Sequence, residues 1–139
     1  MIKIFTINKN QPNYIMSESL FERLGAEAGI VKIVDDVVEA HMNNPAIAAR
    51  FTPYLEQPEN LAKIKAHTVN FFITGSGGPQ VYAGRDMATT HKGMNISASE
   101  YMETMDDIFL VLDKHGKNDQ TKKDVLEILW SLKGMIIGK

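Results

Sequence analysis

The sequence predicts an all-α fold in a single domain, and three observations support that prediction. Apolar residues recur at helical spacing through most of the chain after Ser19, so each long segment has one apolar face. Stretches that contain Asn, Gly or Pro, at residues 43–45 and 75–79, separate these segments. No part of the core requires the alternating pattern of a β-strand. The 139 residues suffice for one domain with one sizeable core.

The first residues differ from the rest of the chain. Residues 1–7 have the composition of a short strand, but residues 8–13 are typical of a loop. Ser19 with Glu22 forms a capping box that marks the first helix. We therefore expect residues 1–18 to be a flexible N-terminal extension and residues 19–139 to be the domain. Met16 is a candidate alternative start, which would make residues 1–15 dispensable.

The first long helix is predicted around residues 30–41, and Asn44 with Pro45 ends it. Its apolar face has the spacing i, i+3, i+4, i+7, i+8 and i+11, and consists of Ile30, Ile33, Val34, Val37, Val38 and His41. A short segment follows over residues 46–51, and residues 52–58 read as a loop.

Three further helices follow. Pro58 suits the first turn of the second long helix, whose apolar face is Leu61, Ile64, Thr68, Phe71 and Phe72. A second capping box, Ser97 with Glu100, opens the third, which contains Tyr101, Met105, Ile108, Phe109 and Leu112. The last carries Val125, Ile128, Leu129, Leu132 and Ile136. The chain is thus predicted to have four substantial helices with short connectors.

Composition and charge exclude several kinds of site and partner. Without cysteine, the chain forms no disulfides, zinc–thiolate sites or thiol nucleophiles. The net charge of −2 gives no basic footprint for nucleic acid. No apolar run approaches the roughly 18 residues that span a bilayer, and residues 1–7 make a poor signal peptide. We expect a cytoplasmic protein, monomeric or weakly dimeric, without a membrane or nucleic-acid partner.

His91 is the most informative residue, because it lies in a short segment between the second and third long helices. A neutral imidazole at that place could bind a metal centre held between the helices. The alternative is a solvated loop histidine. The surrounding motifs favour the first interpretation.

Several short motifs occur in order between residues 19 and 139. They are Leu20-Phe21-Glu22-Arg23-Leu24-Gly25, Phe51, Gly77-Gly78-Pro79, Tyr82-Ala83-Gly84-Arg85-Asp86-Met87, His91-Lys92-Gly93-Met94 and Lys133-Gly134. In this order and spacing the set resembles the truncated hemoglobins, most closely the group I type of bacteria, cyanobacteria and protists. The resemblance implies a two-over-two helical sandwich around heme b (iron protoporphyrin IX).

The resemblance also implies which residues hold the heme. By position His91 is the proximal ligand of the iron; its Nε2 would bind the metal while Nδ1–H donates to a nearby carbonyl. Phe51 resembles the aromatic residue that wedges against the heme face. Lys63 and Tyr82 are expected to meet the propionates. Apolar walls are expected from Phe71, Phe72, Met87, Ile96 and Tyr101, although plain core packing is the alternative for each phenylalanine.

The distal side departs from the family's pattern. Val38 stands where most group I members have a tyrosine that hydrogen-bonds the bound gas. Ile64 and Thr68 stand where glutamines or other polar residues often occur. Such a hydrogen bond to a charge-separated ligand contributes about 1–3 kcal/mol. We therefore expect an apolar distal pocket from which oxygen leaves faster.

His67 is the remaining polar candidate on the distal side. Some cyanobacterial relatives carry a histidine here that binds iron as a sixth ligand, so His67 is a candidate second metal ligand beside His91. The alternatives are a hydrogen bond to a propionate or ligand, and simple exposure to solvent. His41, on a buried stripe, is predicted to be a packed histidine and only secondarily a distal donor. His115 is predicted to be a solvated helix end, where a cation suits the helix dipole.

The resemblance implies a heme protein that binds the diatomic gases O₂, NO and CO, with oxygen binding and transport among its expected roles. The alternative is an NO dioxygenase, a weak peroxidase or an electron-transfer heme protein. That alternative needs a separate reductase, because the chain shows no flavin or nicotinamide site. The few distal acid–base groups argue against efficient peroxidase chemistry. A heme-free helical interaction module is a remote alternative that leaves the ordered motifs unexplained.

Overall fold

A computed structural model describes residues 18–79 and 86–139. Within these ranges the elements are α1 (Leu20–Arg23), α2 (Ala26–Asn43), two 3₁₀ turns (Ala48–Arg50 and Thr52–Glu56), α3 (Pro58–Gly75), α4 (Met87–His91), α5 (Ala98–Lys114) and α6 (Asp119–Ile136). The predicted all-α class is confirmed. In the same ranges the only β-type pairing is a single parallel bridge between Ile96 and Ile137. The proposed extension lies, up to residue 17, outside the described residues.

Side-chain caps open several helices at the residues that the sequence indicates. The Ser19 hydroxyl accepts from the backbone N–H of Glu22 at 3.1 Å, and the Glu22 carboxylate reaches back to the cap. Ser97 and Glu100 form the same box at the start of α5. Asn118 caps α6 by accepting from the backbone N–H of residue 121 at 2.9 Å. Each cap satisfies donors that the first helical turn leaves free and contributes about 1 kcal/mol.

Two glycines make the corner between α1 and α2. Gly25 has a φ of +93°, in the left-handed region that favours glycine. A Cβ atom on Gly29 would lie 2.3 Å from the Leu24 carbonyl oxygen. The end of α1 can therefore approach α2 this closely only because residue 29 has no side chain.

The core forms around α2, which packs against both α3 and α5. The apolar face predicted for α2 is buried at every position: Ile30, Ile33, Val34, Val37, Val38 and His41. Helix α6 packs against α5 and α4. Buried side chains of α5 and α6 join the same core, among them Tyr101, Met105, Leu112, Val125 and Leu129.

The apolar face of α3 is covered less than the sequence led us to expect. Only Val69 and Ile73 of this helix are buried. The side chains of the predicted face are half-buried: Leu61, Ile64, Thr68, Phe71 and Phe72. Helix α3 thus meets the core along the edge of its apolar face and leaves the rest partly open.

The connector between α2 and α3 is more regular than predicted. Residues 52–58 were expected to form a loop, but Thr52–Glu56 is a 3₁₀ turn. The backbone N–H of Tyr54 donates to the Phe51 carbonyl, and that of Gln57 donates to the Tyr54 carbonyl, each at 3.0 Å. Such i→i+3 bonds let a short connector satisfy its own backbone groups. Pro58 begins α3, as predicted.

None of the helices in residues 18–79 and 86–139 combines the length and the apolar character needed to cross a membrane.

Candidate functional site

His91 is the last residue of the short helix α4. The Asp86 side chain caps this helix by accepting from the backbone N–H of Thr89 at 2.7 Å, which holds the pKa of that carboxyl below its usual value. Nδ1 of the His91 ring lies 2.8 Å from the Met87 carbonyl oxygen. A carbonyl can only accept, so Nδ1 carries the proton and Nε2 of a neutral ring keeps its lone pair. This is the tautomer that a metal-binding histidine requires.

The surroundings of His91 are apolar on the core side. Met87 and Ile96 are half-buried and pack against the main core, as does Phe72 of α3. Phe71 is half-buried, and its ring meets that of Phe72 edge to face with centroids 5.7 Å apart. A flat apolar metallocycle needs apolar side chains that it can cover and a ligand for its metal. The half-buried side chains supply the first, and Nε2 of His91 can supply the second. The residues present therefore fit heme.

The predicted distal residues lie on α2 and α3. Val38 is buried in the core, whereas Ile64 and Thr68 are half-buried on α3. The Thr68 hydroxyl donates to the Ile64 carbonyl at 2.8 Å, one turn back in its own helix. Its only proton is therefore engaged within the helix, as is common for threonine in helices. None of these three side chains has a free hydrogen-bond donor for a bound ligand.

Two further residues predicted to contact the heme are exposed, and a third lies outside the described residues. His67 and Lys63 are exposed on α3. Tyr82 lies outside the described residues, so its expected contact with a propionate stays a prediction.

Tyr101 was expected to form part of the apolar wall, and the structure shows where its hydroxyl goes. The side chain is buried, and the hydroxyl donates to the Leu129 carbonyl of α6 at 2.5 Å. Burial raises the pKa of this phenol to about 12, so it stays protonated as a donor. Tyr101 thus fastens α5 to α6 with its polar end, and only its ring is available to a ligand.

His41 forms a buried polar pair with Asp107, of which only His41 was identified from the sequence. Nδ1–H of His41 donates to Oδ2 of Asp107 at 2.8 Å, and both residues are more than nine-tenths buried. Asn44 donates to both carboxylate oxygens of Asp107, at 3.1 and 3.2 Å, and also to Glu103 at 3.1 Å. Burial lowers the pKa of His41 although Asp107 opposes that change, so the ring is neutral near pH 7.

The His41 ring also supports Phe51. The two ring centroids are 4.9 Å apart, with the planes tilted by 35°. The residue before Phe51, Arg50, forms a two-pronged ion pair with Glu100 at the start of α5. Arg50, and then the backbone of Ser97, lower the pKa of Glu100 to about 2. The connector that carries Phe51 is thereby tied to α5 through Arg50, while the Phe51 ring rests against His41 of α2.

Asp107 was not identified from the sequence. It lies on α5 beside the apolar stripe, and no periodicity distinguishes it from its exposed neighbour Asp106. The one available signal was the predicted burial of His41, since a buried imidazole needs a hydrogen-bond partner.

His115 differs from its prediction. It was expected to be a solvated helix end, but Nε2 lies 2.7 Å from Oδ2 of Asp36 on α2, and the side chain is mostly covered. His115 stands at the C-cap of α5, where the helix dipole favours a cation. The pair lowers the pKa of Asp36. The ring therefore links α5 to α2.

A surface groove between α5 and α6 does not include His91. It has a volume of about 580 Å³ and is lined by Met102, Met105, Asp106, Phe109, Lys123, Leu126, Glu127 and Trp130 of α5 and α6. None of the predicted heme residues borders it. In residues 18–79 and 86–139, no three His, Cys, Asp or Glu side chains come together as a metal site. A heme iron needs only one protein ligand on its proximal side.

Comparison with known proteins gives a consistent result. The sequence model of the bacterial-like globin family matches residues 19–137. The group 1 truncated hemoglobin GlbN of Nostoc sp. (strain MUN 8820) is 24% identical over 121 residues, which cover 87% of this chain and 98% of that protein. The group 1 truncated hemoglobin of Tetrahymena thermophila is 25% identical over 130 residues, with coverages of 87% and 96%.

Solved structures with the same fold are also truncated hemoglobins. The Fe(III) form of truncated hemoglobin from Tetrahymena pyriformis superposes with a TM-score of 0.79 at 19% identity, over 88% of this chain and 100% of that chain. The 2/2 hemoglobin from Synechococcus sp. PCC 7002, in the cyanomet state with covalently attached heme, gives 0.73 at 20% identity, over 84% and 94%. These similarities show the fold.

Proposed function

Because this chain belongs to the bacterial-like globin family, we propose that it binds heme b through His91 and uses it to bind the diatomic gases O₂, NO and CO. The hydrogen bond from His91 Nδ1 to the Met87 carbonyl carries this proposal. It fixes the ring orientation and leaves Nε2 as the ligand atom, which is the arrangement of a proximal histidine.

The remaining side chains have distinct tasks in this proposal. Apolar contact with the heme ring comes from three half-buried side chains, Phe71, Met87 and Ile96. Binding of the heme removes their remaining exposed surface from water. Phe51 wedges against the heme face from the connector, where His41 supports it. Lys63, exposed on α3, meets a propionate at the rim, with Tyr82 as the second such contact.

When bound, the heme would supply an iron that can bind a diatomic gas. Val38, Ile64 and Thr68 offer no hydrogen-bond donor on the distal side, since the Thr68 hydroxyl is engaged with the Ile64 carbonyl. Ligands that gain little from a hydrogen bond, such as CO and NO, are therefore favoured relative to O₂.

His67 is a candidate second ligand that would hold the iron together with His91. It is exposed on α3 beside the half-buried Ile64 and Thr68, so it has to turn inward to reach the iron. If it did, a gas would have to displace it, and the apparent affinity would fall by the closed fraction.

The absorbance spectrum of the hemin-reconstituted protein, ferric and dithionite-reduced, tests both assignments. Four proteins are compared: the parent, His91→Ala, His67→Ala, and His115→Ala as a matched control on a histidine outside the site. We expect His91→Ala to lose the histidine-ligated spectrum and His115→Ala to keep it. A low-spin parent that becomes high-spin in His67→Ala would show two-histidine coordination; high-spin spectra in both would leave His91 as the only ligand. A His91→Ala spectrum like the parent's would refute the proposal.

NO dioxygenation requires electrons from a separate reductase, which is the partner that this second activity implies. Stopped-flow mixing of the oxygenated protein with NO measures it directly. Rapid, stoichiometric nitrate formation is the expected result for a dioxygenase, and slow or absent nitrate would restrict the protein to gas binding.

A further inference from the structure

The segment that follows α6 lies beside the loop that follows His91. The backbone N–H of Gly138 donates to the Ile96 carbonyl at 2.8 Å, and the backbone N–H of Gly93 donates to the Lys139 carbonyl at 2.7 Å. Ile96 and Ile137 form a parallel bridge next to the first of these bonds. Residues 93–96 are thus held along their length by residues 137–139.

Helix α4 depends on such outside support. It has five residues, from Met87 to His91, and a helix of this length is not stable by itself in water. Its tertiary contacts include α6, and residues 137–139 extend the same chain segment beyond that helix. Helix α6 thus supports α4 directly, and residues 137–139, which continue α6, hold the loop that follows His91.

The geometry of this attachment is specific. Gly93 and Gly138 have φ angles of +85° and +72°, and Asn95 has +47°. These left-handed conformations turn the two segments so that their N–H and carbonyl groups face one another. A loop that only spanned the distance from α4 to α5 would not need paired left-handed residues on both segments.

We propose that residues 137–139 are a positioning segment for His91. By holding residues 93–96, they fix the rotation of the last turn of α4 and with it the direction of His91 Nε2. This inference rests on the proposed heme ligation for its consequence, but the attachment itself can be tested without heme. Outer groups that orient a metal-binding histidine commonly change metal affinity by about 10–100-fold when they are removed.

Gly138→Pro is the most direct variant. Proline has no N–H to donate to Ile96 and cannot adopt a φ of +72°. A second variant that deletes residues 138–139 removes both hydrogen bonds while leaving every residue of α6 in place. Lys139→Ala is the matched control, because only the main-chain carbonyl of Lys139 takes part.

The first measurement uses heme-free protein. Amide hydrogen exchange is followed at Thr90, whose N–H donates to Asp86, and at Met94, whose N–H donates to His91. We expect exchange at these two amides to become at least about 10-fold faster in Gly138→Pro and in the deletion, with parental rates in Lys139→Ala and in the middle of α2. Unchanged exchange at Thr90 and Met94 in both variants would overturn the inference, whether or not the protein binds heme.

The second measurement uses reconstituted protein. The iron–histidine stretching band of the dithionite-reduced form is recorded by resonance Raman spectroscopy, and heme loss is measured by transfer to excess apomyoglobin. We expect the band to shift or broaden in both variants and heme loss to become about 10-fold faster or more. A parental band and parental heme loss, with helicity retained, would also overturn the inference. A parent without any heme would instead refute the proposed function, and the exchange experiment would still decide on the attachment.

Discussion

At the scale of single residues, hydrogen bonds decide what each histidine can do. His91 gives its Nδ1 proton to a main-chain carbonyl and keeps Nε2 for a ligand. His41 gives its Nδ1 proton to a buried carboxylate and packs its ring against Phe51. His115 pairs with Asp36 at the end of a helix. Residue type is the same in each case, so the neighbouring acceptor and the degree of burial determine the role.

The buried pair of His41 and Asp107 predicts a large loss of stability when one partner is removed. Asp107→Ala leaves the buried ring N–H of His41 without its acceptor and leaves the amide of Asn44 with Glu103 alone. We expect a loss of about 3 kcal/mol in the free energy of unfolding of the heme-free protein, measured by urea denaturation. The exposed neighbour provides the control: Asp106→Ala should change stability by less than about 0.5 kcal/mol. Equal effects of the two substitutions would contradict this role of the pair.

The lowered pKa of His41 predicts how stability depends on pH. Burial favours the neutral ring, so the folded state binds a proton at this site less readily than the unfolded chain, where the pKa is 6.5. The unfolded state therefore binds more protons as the pH falls below that value, and the free energy of unfolding decreases with it. We expect urea midpoints to fall between pH 7.5 and 5.5 in the parent, and to fall less in His41→Gln. An equal fall of the urea midpoint in the parent and in His41→Gln would show that titratable groups other than His41 cause the pH dependence.

At the scale of elements, α3 differs from the other long helices because its apolar face is only half covered. Val69 and Ile73 anchor it to the core. Ile64, Thr68 and Phe71 stay half-exposed, and a heme bound as we propose would cover that surface. In the proposed site the same helix carries the distal positions, so its side chains would determine how a bound gas is stabilised.

A donor introduced on α3 should slow oxygen release. Ile64→Gln introduces an amide donor on the side where Thr68 and Val38 offer no donor to the gas. A hydrogen bond of about 1.4 kcal/mol to bound oxygen corresponds to about a 10-fold slower dissociation. Thr68→Val is the matched control, because the Thr68 hydroxyl is already bonded to the Ile64 carbonyl. Stopped-flow dissociation of oxygen from the reduced protein measures both. If oxygen dissociates as fast from both variants as from the parent, or if its rate changes equally in both, Ile64 does not face the gas.

At the scale of the whole molecule, α2 joins two halves of the fold by packing against α3 on one side and α5 on another. Helix α6 connects α5 to the His91 segment through α4 and through residues 137–139. The proximal and distal residues of the proposed site therefore belong to different parts of one core, and a heme between them would connect these parts.

Binding of heme should accordingly stabilise the entire fold. A ligand that binds only the folded state at 100 times its Kd adds about 2.7 kcal/mol to the free energy of unfolding. We expect hemin to raise the melting temperature of the parent and of His115→Ala, and to raise that of His91→Ala much less. Differential scanning calorimetry with and without hemin checks this, and a similar rise in His91→Ala would indicate nonspecific hemin association.

The sequence by itself determined the fold class, the capped ends of α1 and α5, and the buried face of α2. These features depend on residues three or four positions apart, so periodicity and caps express them directly. The position of His91 between two long helices could also be read from the chain. Its proposed role as the iron ligand followed from the resemblance to the truncated hemoglobins.

Only the tertiary structure decided the contacts between distant parts of the chain. Asp107 meets His41 from another helix, and His115 meets Asp36 in the same way. The attachment of residues 137–139 beside His91 and the partial cover of α3 also depend on how complete helices are placed relative to one another. Side-chain periodicity states which face of a helix is apolar, but not which neighbour covers it or how far that cover extends. A hydrogen bond between segments separated by dozens of residues produces no periodic pattern in the sequence of either segment. These partners could therefore be assigned only from the folded structure.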